Sequence, residues 1–159
     1  MKDKHKNICF VNSNLQLTNC LSFIEKFNLT GIVIIGFYDI PKTREGYRSL
    51  LSTSHLDEVD ALFLKMYTRK INKQKFFHKV FNKIKVFLLS LYLGKRYRNC
   101  IDYILIGDVR AYWMNRCESV LSYQSKVLVD DGIASITMAK DFYSKGLDGP
   151  YDNKRNIKN

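Results

Sequence analysis

The sequence predicts an α/β fold, a doubly wound, mainly parallel Rossmann-like sheet with helices on both faces, and three observations carry that expectation. Short apolar runs rich in β-branched residues recur at Asn7–Val11, Gly31–Phe37, Ile101–Ile106 and Lys126–Val129. Runs of this kind, apolar on both faces, are strands buried inside a parallel sheet. Between them lie segments with apolar residues at helical spacing, and strand–helix–strand alternation makes parallel neighbours joined by crossover helices. Finally, 159 residues with a hydrophobic fraction of 46%, ten Tyr and ten Phe can bury one real core, which excludes a disordered chain.

Asn7–Val11 (NICFV) is the first strand, entered from a polar, basic terminus, residues 1–6, expected to be disordered. A helix follows over SNLQLTNCLSFIEKF, with Leu15, Asn19, Phe23 and Phe27 at helical spacing beside Leu17, Leu21 and Ile24. Ser13 or Asn14 is its natural N-cap. Gly31–Phe37 (GIVIIGF) is apolar throughout and therefore central. After the Pro41 loop a helix is expected over Thr43–Leu51, then a third strand over Asp60–Tyr67. The longest helical pattern is Asn72–Leu93, with Phe77, Phe81, Ile84, Leu88 and Leu91 as its expected core face. Ile101–Ile106 is the next strand, Arg110–Tyr123 a helix with Trp113, Cys117, Val120 and Leu121 inward, and KVLV the last strand. A short helix is expected over Ala134–Tyr143, which completes a domain over residues 7–143, and residues 144–159 form a polar tail that should fray.

The net charge of +11 calls for a polyanion or an anionic surface as partner. Its densest source is Arg69–Arg98, which holds Lys75, Lys79, Lys83 and other cations without one acidic residue. Those three lysines recur every four positions and align in a stripe. A membrane surface, an acidic polysaccharide and a nucleic acid all fit such a stripe; so does a plain solvated face. The four cysteines, Cys9, Cys20, Cys100 and Cys117, form no CxxC pair and sit mostly in apolar runs. They read as buried free thiols of a reducing compartment, with no metal site. No secretory leader is visible, and the longest uncharged apolar stretch, Val86–Leu93, is too short to span a bilayer.

Three strand ends could carry chemistry. KVLV runs into Asp130, Asp131 and Gly132, at the carboxyl end of a strand where open α/β sheets place ligands. The same triplet is also ordinary turn chemistry. The first strand ends in Asn12, Ser13, Asn14 and Gln16, a set of polar groups at a helix start that could hold a sugar or simply cap the helix. Ile101–Ile106 ends at Gly107, Asp108, Val109 and Arg110, again a site or a cap. Neither GxGxxG nor GxxxxGK[ST] occurs.

Taken in order, ICFVNSNLQLTNCLSFIEKF, ILIGDVRAYWMN and KVLVDDGIASI resemble the N-terminal half of bacterial sialyltransferases, most closely glycosyltransferase family 52 and the capsular polysialyltransferases. The turn Ser13-Asn14-Leu15-Gln16-Leu17 is similar to that family's Ser-Pro-(Leu/Phe)-Gln-Leu turn, with Asn14 in place of proline, and Asp130-Asp131-Gly132 matches its acidic–acidic–Gly motif. The resemblance covers residues 7–138 and implies the acceptor-side domain of a GT-B fold, two Rossmann-like domains facing across a cleft. It implies an inverting, metal-independent transfer of sialic acid from CMP-sialic acid to a lipooligosaccharide or capsular glycan. Asp131 would be the base that takes the acceptor hydroxyl proton, with Asp130 supporting it. Gly132, Ser13, Asn14, Gln16, Asp108 and Arg110 would line the acceptor site. The donor half of that family carries a His-Pro motif, whereas His5, His55 and His78 are followed by Lys6, Leu56 and Lys79. A truncated chain, inactive alone, is therefore expected. The implied partners are an anionic glycan and the inner membrane surface, in a cytoplasmic setting, with no cofactor and no nucleic acid.

Overall fold

The structure, a computed structural model, describes residues 7–54, 56, 59–66, 75–97 and 101–129, all within the unit Met1–Val129. The expected disordered terminus, the Ala134–Tyr143 helix and the frayed tail lie outside the described residues.

Among the described residues five strands, β1 (Asn7–Val11), β2 (Ile32–Tyr38), β3 (Val59–Lys65), β4 (Ile101–Ile106) and β5 (Tyr123–Leu128), form one sheet in the order β3-β2-β1-β4-β5. Every ladder is parallel, with Ile8 opposite Val33 and Ile104, and Leu105 opposite Val127. The chain builds outward from β1 to β3, then returns to lay β4 against the free side of β1. The α/β fold expected from the sequence is the fold observed.

The described helices that cover the sheet are α1 (Asn14–Lys26), α2 (Pro41–Thr53), α3 (Lys75–Arg96) and α4 (Tyr112–Glu118). The strands' period of two sorts their side chains between the helix pairs. Ile8, Phe10, Val33, Ile35, Ile104 and Ile106 pack with Val86, Leu89 and Leu93 of α3 and with Trp113, Met114 and Cys117 of α4. Cys9, Val11, Ile32, Ile34 and Leu105 pack on the other face with Leu17, Cys20, Leu21 and Ile24 of α1 and Tyr47 of α2. Both faces of β1, β2 and β4 are thus sealed, which is why those three read as apolar runs. β3 and β5 are the edges and are only partly covered.

Local signals explain most boundaries. α1 ends in a Schellman arrangement: Leu29 N–H donates to the Ile24 carbonyl at 3.0 Å and Asn28 N–H to that of Glu25 at 3.2 Å. Asn28 takes the left-handed φ of 50° that this turn requires, a conformation asparagine tolerates better than most residues. α2 begins at Pro41, two residues before the expected start, because proline's fixed φ suits the first helical turn. Its Tyr47 is fully buried, stacks on Phe63 at 4.8 Å and donates its hydroxyl to the Phe37 carbonyl at 3.0 Å. A Cβ on Gly36 would stand 2.8 Å from the Phe63 ring and 3.0 Å from that of Tyr47, so only glycine leaves room for the stack.

α1 carries two apolar stripes, and the sheet takes the one with Leu17, Leu21 and Ile24, burying Gln16 and Cys20 with it and leaving Leu15 and Phe27 exposed. Two expectations need correction. The helix expected over Arg110–Tyr123 is only Tyr112–Glu118, and Tyr123 already opens β5. The largest reversal is in α3. Its expected core face, Phe77, Phe81, Ile84, Leu88 and Leu91, points outward, and Val86, Leu89 and Leu93 meet the sheet instead.

Candidate functional site at the β1–β4 switch point

β1 and β4 are neighbours, yet the helix after β1 lies on one face of the sheet and that after β4 on the other. The crevice between two such departing connections, outside the carboxyl ends of the strands, is where this kind of sheet receives ligands. Here its walls are Asn12–Ser13 and Gly107–Arg110. Two backbone bonds level the strand ends: Gly107 N–H donates to Phe10 O at 2.9 Å, and Val129 N–H to Ile106 O at 3.0 Å. Val129, the last described residue, thus ends beside the same edge.

The floor of the crevice is a closed polar brace. Ser13 is the N-cap of α1, and its hydroxyl accepts from Gln16 N–H at 3.2 Å. Gln16 reaches back, and its Oε1 accepts from Asn12 N–H at 2.7 Å. This is a reciprocal capping box displaced by one residue toward the strand. Gln16 is only 3% exposed and lies against Gly107, where a Cβ would collide with the Gln16 amide and stand 3.0 Å from the Phe10 carbonyl. Glycine is the residue that lets β4 turn this close to α1. From the opposite face, Trp113 of α4 passes under the edge and donates its indole N–H to Asn12 Oδ1 at 2.8 Å. The indole is held edge-on to Phe10 at 5.5 Å and Phe37 at 4.3 Å.

The β4 wall is an ion-paired turn. The Asp108 carboxylate accepts from Arg110 N–H at 2.9 Å and from Arg110 Nε at 3.0 Å, with the guanidinium half exposed. Its own N–H meets Met114 Sδ at 3.3 Å, and Asn115 Nδ2 donates to the Val109 carbonyl at 2.7 Å. Charge at this corner is already matched within the turn.

The sequence singled out Ser13, Asn14, Gln16, Asp108 and Arg110, and the structure brings the two groups to one edge. Their roles differ. Ser13 and Gln16 are spent on capping and bracing; Asn14 is exposed and its side chain packs against Gly46 of α2; Asp108 and Arg110 face each other. Asp130, Asp131 and Gly132 lie outside the described residues. Lys79 and Lys83 are exposed on α3, far along the chain from this edge; Lys75 opens α3, and its side chain lies outside those described. Sequence reasoning took Trp113 as an ordinary inward residue and missed its bond to Asn12. The signal was present in part, since a lone buried Trp requires an acceptor for its N–H.

Farther from the edge, α4 is tied to β5 by Glu118, whose Oε1 accepts from Tyr123 Oη and Lys126 Nζ, each at 2.7 Å. Cys9, Cys20 and Cys117 are buried free thiols. Burial pushes the Cys117 thiol up to about 12 against a small opposing pull from Arg116, and burial next to Cys9 raises Cys20 as well. Among the described residues no group of three or more His, Cys, Asp or Glu could hold a metal ion, and no helix is long and apolar enough to cross a membrane. Compared with known proteins, the chain matches no family model, no curated protein and no solved structure.

Proposed function

We propose that this chain is the acceptor-side Rossmann-like domain of a sialyltransferase-like glycosyltransferase acting on a bacterial surface glycan. The observation that carries the reading is the common edge. The segments resembling the family's motifs follow β1, β4 and β5, and those three parallel strands are consecutive in the sheet and end together. An acceptor lying across that edge would meet Asn14 and the Asp108–Arg110 turn. Asp131, two residues beyond Val129 in sequence, would take the proton of the attacking hydroxyl, and Asp130 would support it. In that reading CMP-sialic acid would be held by a donor half carrying the family's His-Pro motif, which residues 1–159 do not contain, and these residues alone would not transfer sialic acid.

The test is an assay of the chain with CMP-sialic acid and a lactose-terminated or sialylated acceptor, alongside an acceptor titration followed by amide NMR. The expected result is no transfer, with acceptor-dependent shifts at Asn14, Asp108 and Arg110. Robust transfer would remove the claim of inactivity, and a titration without shifts at that edge would remove the acceptor site. The rival reading, a non-catalytic module that binds a polyanion through the basic helix region, draws on exposed Lys79 and Lys83. The apolar residues interleaved with those lysines fit a purely ionic partner poorly.

A further inference from the structure

We propose that α3 docks the protein onto an anionic lipid surface, lying in the plane of the bilayer with its outward apolar seam among the acyl chains. The proposal does not depend on the glycosyltransferase reading. A helix packed on a soluble domain ordinarily turns its polar side to water. α3 does the opposite. Phe81, Ile84, Phe87, Leu88, Leu91 and Tyr92 are each between 48% and 57% exposed. At 3.6 residues per turn they fall within an arc of about 140°, on the side away from the buried line Val86–Leu89–Leu93. Scattered exposed apolar residues are normal, but a contiguous seam marks a contact surface.

Charge identifies the occupant. The 22 residues of α3 include Lys79, Lys83, Lys85, Lys95 and Arg96 and no acid. On the helical wheel Lys83 lies about 40° beyond Phe87 and Arg96 about 40° beyond Tyr92, so cations border both long sides of the seam. Lys95 sits in line with it at the carboxyl end, and Lys85 donates to the Lys65 carbonyl at 2.8 Å. A second copy of the chain would cover the seam only by pressing two all-basic borders together, where a coiled-coil seam would need opposite charges. A nucleic acid would satisfy the lysines and leave the phenylalanines in water. An anionic bilayer meets both needs: acyl chains take the seam, headgroup phosphates take the borders, and long lysine stems reach out to them. The helix is too polar to cross a membrane, so it rests in the interface.

The experiment is flotation of the whole chain with vesicles of phosphatidylcholine alone or with a third phosphatidylglycerol, paired with sedimentation velocity of the protein without lipid. Binding to the anionic vesicles should exceed binding to neutral ones by about tenfold or more. The pair Phe81→Ser/Leu88→Ser, which leaves the charge unchanged, should weaken it by about tenfold, and Lys83→Gln/Arg96→Gln should weaken it comparably. Thermal melts establish that each variant folds, and Leu91→Gln serves as a second seam variant if the serine pair does not. Absence of binding to anionic vesicles overturns the proposal. So does binding indifferent to the serine pair, which would be electrostatic only. A dimer in sedimentation that the serine pair dissolves would assign the seam to a second copy, and tighter binding to a DNA duplex than to vesicles would assign the lysines to nucleic acid.

Discussion

The indole N–H of Trp113 donates to Asn12 Oδ1 over 2.8 Å, joining residues 101 positions apart in the chain. The bond crosses from the helix layer on one face of the sheet to the loop that enters the layer on the other. It therefore ties the β1–α1 turn to α4. Trp113→Phe keeps an aromatic ring beside Phe10 and Phe37 but leaves Asn12 Oδ1 without this donor. A loss of about 1–3 kcal/mol is expected, measured by urea unfolding followed by far-ultraviolet circular dichroism, since the only tryptophan is gone. In a double-mutant cycle with Asn12→Ala the double variant should lose less than the two single losses combined; additive losses would show that the bond is not formed in solution.

Gly107→Ala drives a methyl group onto the Gln16 amide and against the Phe10 carbonyl, and about 1–3 kcal/mol should be lost. Gln16→Ala alone removes the acceptor from Asn12 N–H, with a loss of similar size. Combined, the two should be less harmful than their sum, because the alanine at 16 vacates part of the space that the methyl needs. Chemical denaturation of the four proteins checks this directly.

Glu118→Ala strips the shared acceptor from Tyr123 and Lys126, at a site where Glu118 is 14% and Lys126 23% exposed. About 1–3 kcal/mol should be lost. The fraying should concentrate in β5, seen as faster amide exchange at Val127 and Leu128 than at Ile8 and Ile34 of the sheet centre.

The buried thiols make stability fall in alkali. Cys117 has an ordinary value of 9.0 in the open chain and about 12 when folded. Below pH 9 both states keep the proton and stability is unaffected. Between 9 and 12 the unfolded state loses it first, so the folded state loses ground as pH rises. Cys20 and the Tyr47 hydroxyl, both raised chiefly by burial, act in the same direction. The urea midpoint should be flat from pH 7 to 8.5 and decline above it. Cys9, Cys20 and Cys117 should resist alkylation at pH 8 until urea is added; rapid native modification of any of them would contradict their burial.

What the sequence revealed follows from which signals were local. β1, β2 and β4 were legible because burial on both faces removes polar residues from a strand altogether. Ser13 as a cap was legible because the cap motif is contained in four residues. The exposed side of α3 was not, since a helix with Phe81, Leu88 and Leu91 on one side and Val86, Leu89 and Leu93 on the other offers two apolar stripes. Periodicity finds both; only the sheet chooses, and it takes the narrower one that fits against Ile8, Ile35 and Ile104. At the candidate edge, Gln16 read either as a ligand group or as part of the helix cap, and its burial was not legible because it depends on Gly107, which lies some ninety residues on. The Asp108–Arg110 pair was near enough in sequence to be seen, though its self-pairing was not.

The strand order has a consequence for biosynthesis. β1, β2 and β3 adjoin in sequence and in space, whereas β4 closes against β1 only after α3 has been made. Until then the nascent chain can hold a three-stranded half-sheet whose open edge is β1, with the backbone of Ile8 and Phe10 awaiting Ile104 and Ile106. A central strand kept waiting is a template for the wrong neighbour. Pairing of β4 with β1 should narrow that window for misassociation, and substitutions that slow it should reduce yield in the cell before they alter the finished fold.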